Sequence, residues 1–123
     1  MGFEKFTKTG RGFRPKVSIW SRGQIGFNQG AVKYLDLEKF GYVVFYYDPG
    51  TKRVGLELTN DGNAEGANKI KIRQTGASVG AKAFLDYYQI DHQETKRYDL
   101  THDRESNLYV IDLTQGDNSG EEV

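Results

Sequence analysis

The chain has 123 residues, about one ordinary domain, and its 37% apolar and 13% aromatic content is enough for a core, which argues against wholesale disorder. It has no cysteine, so thiolate nucleophiles, thiolate metal sites and disulfide staples are all excluded. Seventeen Lys/Arg balance seventeen Asp/Glu, and no apolar run approaches the roughly 20 residues that cross a bilayer, so no membrane partner is expected.

Residues 1–15 are polar and basic, with Gly10, Gly12 and Pro15 among Phe3, Phe6 and Phe13, and read as an extended or partly docked arm. The arm lacks the apolar stretch of a signal peptide, and Thr7 is misplaced for a myristoylation motif, so the reading is cytoplasmic. Lys16-Val-Ser-Ile-Trp20 then sets Val17 and Ile19 against Ser18 and Trp20, a strand pattern. Arg22-Gly23 makes a turn into a second short strand, Gln24-Ile-Gly-Phe27. Asn28 is a helix N-cap, because its side-chain oxygen can accept from the next turn's amides. The helix it opens carries Ala31, Val32, Tyr34 and Leu35 as one apolar stripe.

After Leu37 to Gly41 comes a β-branched and aromatic strand, Tyr42 to Tyr47. Asp48-Pro-Gly50 is a turn, since Pro presets φ and Gly permits a positive one. Arg53 to Leu58 alternates as the return strand. Residues 59–68 are polar and Gly-rich and read as a linker.

The order then recurs. Lys69-Ile-Lys-Ile-Arg73 alternates as residues 16–20 do, Thr75-Gly76 matches Arg22-Gly23, and Ala81 to Tyr88 is a second short helix with Phe84, Leu85 and Tyr88. Ile90 follows it as Leu37 follows the first helix. Arg97 to Thr101 and Leu108 to Leu113 read as a closing hairpin. Ile19 aligns with Ile72, Gly23 with Gly76, Leu37 with Ile90, Val54 with Tyr109 and Leu56 with Ile111, at offsets from 53 to 55. The chain therefore reads as two β-β-α-β-β copies, residues 16–58 and 69–113, each too small to bury its own sheet face. The predicted fold class is mainly β with two short helices, a pseudo-twofold barrel. Residues 114–123 are expected to be a disordered acidic tail.

The stretch Gly23-Gln-Ile-Gly-Phe-Asn-Gln-Gly-Ala-Val-Lys-Tyr-Leu-Asp-Leu37, followed by a hairpin, resembles the AbrB/SpoVT swapped-hairpin family. Gly23, Ile25, Phe27, Leu35 and Leu37 fill that family's apolar and turn positions, and Gly76, Val79, Leu85, Tyr88 and Ile90 do so more loosely in the second copy. Its polar signature is replaced: Ser21, Gln24 and Asn28 stand where the family carries Asp, Arg and Pro, and Ala77 and Gly80 replace the Arg and Pro in the second copy. The resemblance implies a dimer-like fold fused into one chain and a DNA-binding transcriptional regulator.

No phosphate-binding loop, dinucleotide fingerprint, zinc-protease motif or calcium loop is present, and no cofactor, catalytic or metal residue is predicted. His92 and His102, beside Asp91 and Asp103, lie among polar loop residues, and Asp99, Asp103 and Glu105 come with no sign of a cleft. Charge is uneven along the chain: residues 1–60 carry ten cations and five anions, and residues 61–123 seven and twelve, so the halves are +5 and −5.

The strongest functional signal is the basic–aromatic start. Lys5, Lys8, Arg11, Arg14, Lys16 and Arg22, with Gln24 and Lys33 near the turn and helix, form the predicted nucleic-acid-binding set. Double-stranded DNA is the expected partner. One alternative is a protein-interaction or self-assembly module forming an oligomer. Another is a single-strand binder, since residues 25–35 are also similar to the strand–helix junction of positive-coactivator-four-like domains.

Overall fold

The computed structural model describes residues 14–117 of the chain. Strands β1 (Lys16–Ile19) and β2 (Gln24–Phe27) form a hairpin whose turn holds Gly23 at φ 89°. Helix α1 (Gln29–Leu35) starts at Asn28, whose side-chain oxygen accepts from the Ala31 amide at 2.8 Å. The same oxygen accepts from the Lys16 amide at 3.1 Å, so one side chain ties the helix start to β1. A 3-10 turn over Leu37–Lys39 leads to β3 (Tyr42–Asp48) and β4 (Arg53–Thr59). The second series is β5 (Ala67–Arg73), β6 (Gly76–Gly80), α2 (Lys82–Tyr87), β7 (Lys96–Asp99), β8 (Thr101–Asp103) and β9 (Leu108–Asp112).

All pairings are antiparallel, in the order β7-β1-β2-β6-β5-β3-β4-β9-β8. The terminal strands β7 and β8 are one stretch of chain broken at Leu100, so the sheet is nearly closed into a barrel. Exchanging the two series leaves the pairing list unchanged. β1–β2 matches β5–β6, β3–β4 matches β8–β9, and β1–β7 matches β5–β3, while β2–β6 and β4–β9 map onto themselves. Each series thus pairs its first hairpin with the third strand of the other. The hairpins are exchanged, and a pseudo-twofold axis passes through β2–β6.

Backbone detail repeats as well. Positive φ recurs at Gly23 and Gly76, at Asp36 and Gln89, and at Lys52 and Asn107, offsets of 53, 53 and 55. The turns Asp48–Lys52 and Asp103–Asn107 close with the same backbone bond, 2.8 Å in each. In each, the aspartate also accepts from a hydroxyl: Thr51 to Asp48 at 2.9 Å, Ser106 to Asp103 at 2.6 Å.

Two expectations are corrected. The predicted strand Arg97 to Thr101 is split at Leu100, because the segment must pair with β1 on one side and β9 on the other, and Leu100 turns into the core at the bend. Residues 114–117 are not disordered. A 3-10 turn spans Leu113–Gln115, and Asp117 exchanges backbone bonds of 2.8 and 2.9 Å with Arg97, capping the open edge of β7. Residues 1–13 and 118–123 lie outside the described residues.

Val17, Ile19, Ile25 and Leu56 of the first series pack in one apolar cluster with Val79, Leu85 and Ile111 of the second. Because the interior is shared, calorimetry should show a single unfolding transition. Leu56→Ala should lower stability by about 2–5 kcal/mol without splitting that transition, and two separate transitions would contradict the shared core. Acid behaviour follows from the turns: the Thr51 and Ser106 hydroxyls hold Asp48 and Asp103 below the ordinary value of 3.8. A carboxyl lowered in the folded state adds stability above its unfolded value and loses it as pH falls through the folded one. The paired Asp48→Asn/Asp103→Asn variant should therefore lose less stability than wild type on acidification below about pH 4, read from denaturant midpoints.

Candidate nucleic-acid interface

Paired residues on neighbouring strands face the same side of a sheet, so the registers map the outer surface directly. Val17, Ile25, Val79 and Ile70 point inward and are buried. Their neighbours form outward rows across five strands. One row runs Arg97–Ser18–Gly26–Ser78–Lys71. Beside it, Asp99 pairs with Lys16 and Arg73 with Gly76, while Gln24 pairs with Gly80 on the other side.

The floor of this face, along β2 and β6, is made of Gly26, Ser78, Gly76 and Gly80. Its rims are cationic: Lys69, Lys71 and Arg73 on β5, Lys16 and Arg97 on β1 and β7, and Arg22 at the turn. Among these six cations the rows place two carboxylates, Asp99 beside Lys16 and Asp117 beside Arg97. Lys16 bonds Asp99 at 2.7 Å and holds it below the ordinary carboxylate value. The outer face of β3, β4, β9 and β8 has the opposite character, with Asp48, Glu57, Asp103 and Asp112 against Arg53. Charge is thus segregated by barrel face as well as along the chain.

Trp20 lies across the floor. A Cβ on Gly26 would stand 2.4 Å from the indole, so the ring needs glycine beneath it. The Arg22 guanidinium covers the ring at 4.6 Å, and Arg22 Nε donates to Gln24 at 2.9 Å. Arg22 is thereby held on an indole pedestal above the floor. Trp20, Arg22, Gln24, Arg73, Thr75 and Ser78 enclose a shallow cleft of about 270 Å³ there. The Trp20 Nε1 and Arg97 Nε donors are buried without a hydrogen-bond partner among the described residues, and both belong to this face.

Of the residues expected from sequence, Lys16, Arg22 and Gln24 stand on this face. Arg14 adjoins it, its carbonyl accepting from Asn28 at 3.0 Å. Lys33 is exposed on α1, at the end of the barrel rather than on the sheet. Lys5, Lys8 and Arg11 lie outside the described residues. Lys69, Lys71, Arg73, Arg97 and the Trp20 pedestal lie outside the set expected from sequence; the alternation of Lys69, Lys71 and Arg73 with Ile70 and Ile72 is the one signal that marks a basic outer strand.

The histidines stand apart from each other. His92 bridges the Ser21 carbonyl and Asp86 at 3.0 and 3.2 Å, and His102 meets Asn107 at 3.1 Å. Among the described residues no group of three or more His, Asp or Glu is placed to hold a metal, and no helix is long and apolar enough to cross a membrane. Comparison with protein-family models, curated proteins and solved structures finds no match to this chain.

The pedestal yields a direct test, because the chain has a single tryptophan. Gly26→Ala should push the indole off the floor, shifting its emission to the red and increasing its quenching by iodide. Unchanged emission would mean that Trp20 does not rest on Gly26.

Proposed function

We propose that this protein binds double-stranded DNA, as a regulator of transcription, through the outer face of β7, β1, β2, β6 and β5. The observation that carries the reading is six cations around a floor of glycine and serine, against two carboxylates, Asp99 bonded to Lys16 and Asp117 beside Arg97. Cations neutralise phosphates and release counterions. Five strands at about 4.8 Å spacing span roughly 19 Å, room for the two backbones flanking a groove. The pseudo-twofold through β2–β6 suits the local dyad of a duplex. The resemblance of residues 23–37 to the swapped-hairpin family supplies the link to transcription.

Single-strand binding by stacking on Trp20 is the weaker reading, since Gly26 lies under the ring and Arg22 over it. The opposed faces favour a second reading, head-to-tail self-association of basic on acidic surfaces. It predicts oligomers, seen by light scattering, that dissociate as salt rises.

Duplex binding followed by fluorescence anisotropy tests the proposal. The logarithm of affinity should fall linearly with the logarithm of salt with a slope of about −5, for six phosphates met. Lys71→Ala with Arg73→Ala should weaken binding on every sequence and flatten the slope by about 2. Lys52→Ala with Arg53→Ala, on the opposite side, should change neither. Absence of binding at low salt, or equal loss from both pairs, would overturn the proposal.

A further inference from the structure

Beyond the sheet face, a cleft of about 380 Å³ opens between the β1–β2 turn and α2, lined by Arg22, Gln24, Asn68, Lys82, Phe45 and Phe84 among others. Its volume is at the lower end for small-ligand pockets. Arg22 and Gln24 also line the cleft on the floor of the basic face, so the two are continuous. Phe84 stacks on Phe45 with centroids 5.0 Å apart and planes 27° from parallel. Tyr88 and Tyr47 brace Phe84 edge-on at 5.4 and 6.5 Å, which fixes the ring. Both phenylalanines remain half-buried rather than sealed in.

The other copy shows what this site looks like when it is only structural. The counterpart of Phe84 is Ala31, fully buried, and that of Phe45 is Leu100, 7% exposed. The counterpart of Lys82 is Gln29, whose side-chain amide donates to the Gln74 carbonyl. Aliphatic packing fills that end of the barrel. In the second copy the same positions hold aromatic rings, a lysine and an open cleft. Packing alone does not call for that change.

We propose that this cleft takes one unpaired nucleobase from a nucleic-acid strand lying on the basic face. The base extends the Phe45–Phe84 stack, and its phosphate meets Arg22 and Lys82. The proposal rests on the nucleic-acid reading above. Aromatic rings hold bases of any sequence through their π faces, and the amides of Gln24 and Asn68 offer donors and acceptors to a base edge. Asn68 Nδ2 is engaged by the Gly66 carbonyl at 2.8 Å, which fixes the orientation of its amide. Lys82 bonds Asp86 at 2.9 Å in an exposed i,i+4 pair, weak enough to exchange for a phosphate. The preferred ligand is therefore a duplex with an overhanging or flipped base, bound more tightly than a fully paired one.

The test compares a blunt duplex with the same duplex carrying a one-nucleotide 2-aminopurine overhang, for wild type, Phe84→Leu and Ala83→Leu. Ala83 is exposed on α2 and lines the cleft, so leucine there obstructs it without entering the core, and this variant serves if Phe84→Leu does not fold. For wild type the overhang should tighten binding roughly tenfold and quench 2-aminopurine. Both variants should lose that gain while keeping blunt-duplex affinity. Equal affinities without quenching, or a gain that survives both substitutions, would overturn the pocket and leave the basic face standing. No binding of either duplex at low salt would overturn both.

Discussion

The contact between β2 and β6 carries the architecture, because it is where the two copies first meet backbone to backbone. Gln24 to Phe27 pair with Gly80 to Ala77, and beside them Gly76 passes so near the chain that a Cβ would stand 2.2 Å from the Phe27 carbonyl oxygen. A carbonyl in β2 cannot yield as a flexible side chain can, and Gly76 also sits at φ 153°. Only glycine satisfies both demands. With the hairpins set side by side, β1 is left to pair with β7 and β5 with β3, so neither copy can complete a sheet from its own strands.

That exchange also makes the surface. Had each copy kept its own hairpin, Lys16 and Arg22 would belong to one body and Lys69, Lys71 and Arg73 to another. Interleaving the copies puts all five cations on one face, and Arg97 of the second copy joins them through β1. The segregation by face carries a cost: the like charges repel one another when no ligand is bound, and Asp99 offsets part of this by pairing with Lys16.

Much of the fold could be read along the chain because its determinants are local. Asn28 ahead of an apolar stripe announces a helix start, Asp48-Pro-Gly50 a turn, and Val54 and Leu56 an alternating strand. The copy number was legible from spacing, since Gly23 and Gly76 mark the same turn. The binding face was not, because it is assembled from residues distant in sequence. A contiguous basic run makes Lys5, Lys8 and Arg11 conspicuous in the sequence, whereas Lys71 and Arg97 share a row only through four strand pairings. Trp20 read as a strand residue, and nothing adjacent in sequence tells that Gly26, six residues on, lies beneath its ring. The ordering of Thr114 to Asp117 escaped for a similar reason: backbone bonds to the β7 edge hold it, and these leave no mark in side-chain composition.

The claim that the exchanged hairpins build the ligand face is tested most directly by mapping backbone amide shifts while a short DNA duplex is added. Shifts are expected at Ser18, Gly26, Ser78 and Lys71, strongest along β2 and β6, with Gly55 and Val110 of the opposite face unmoved. Shifts centred on Gly55 and Val110, or none along the β2–β6 pair at saturation, would contradict it.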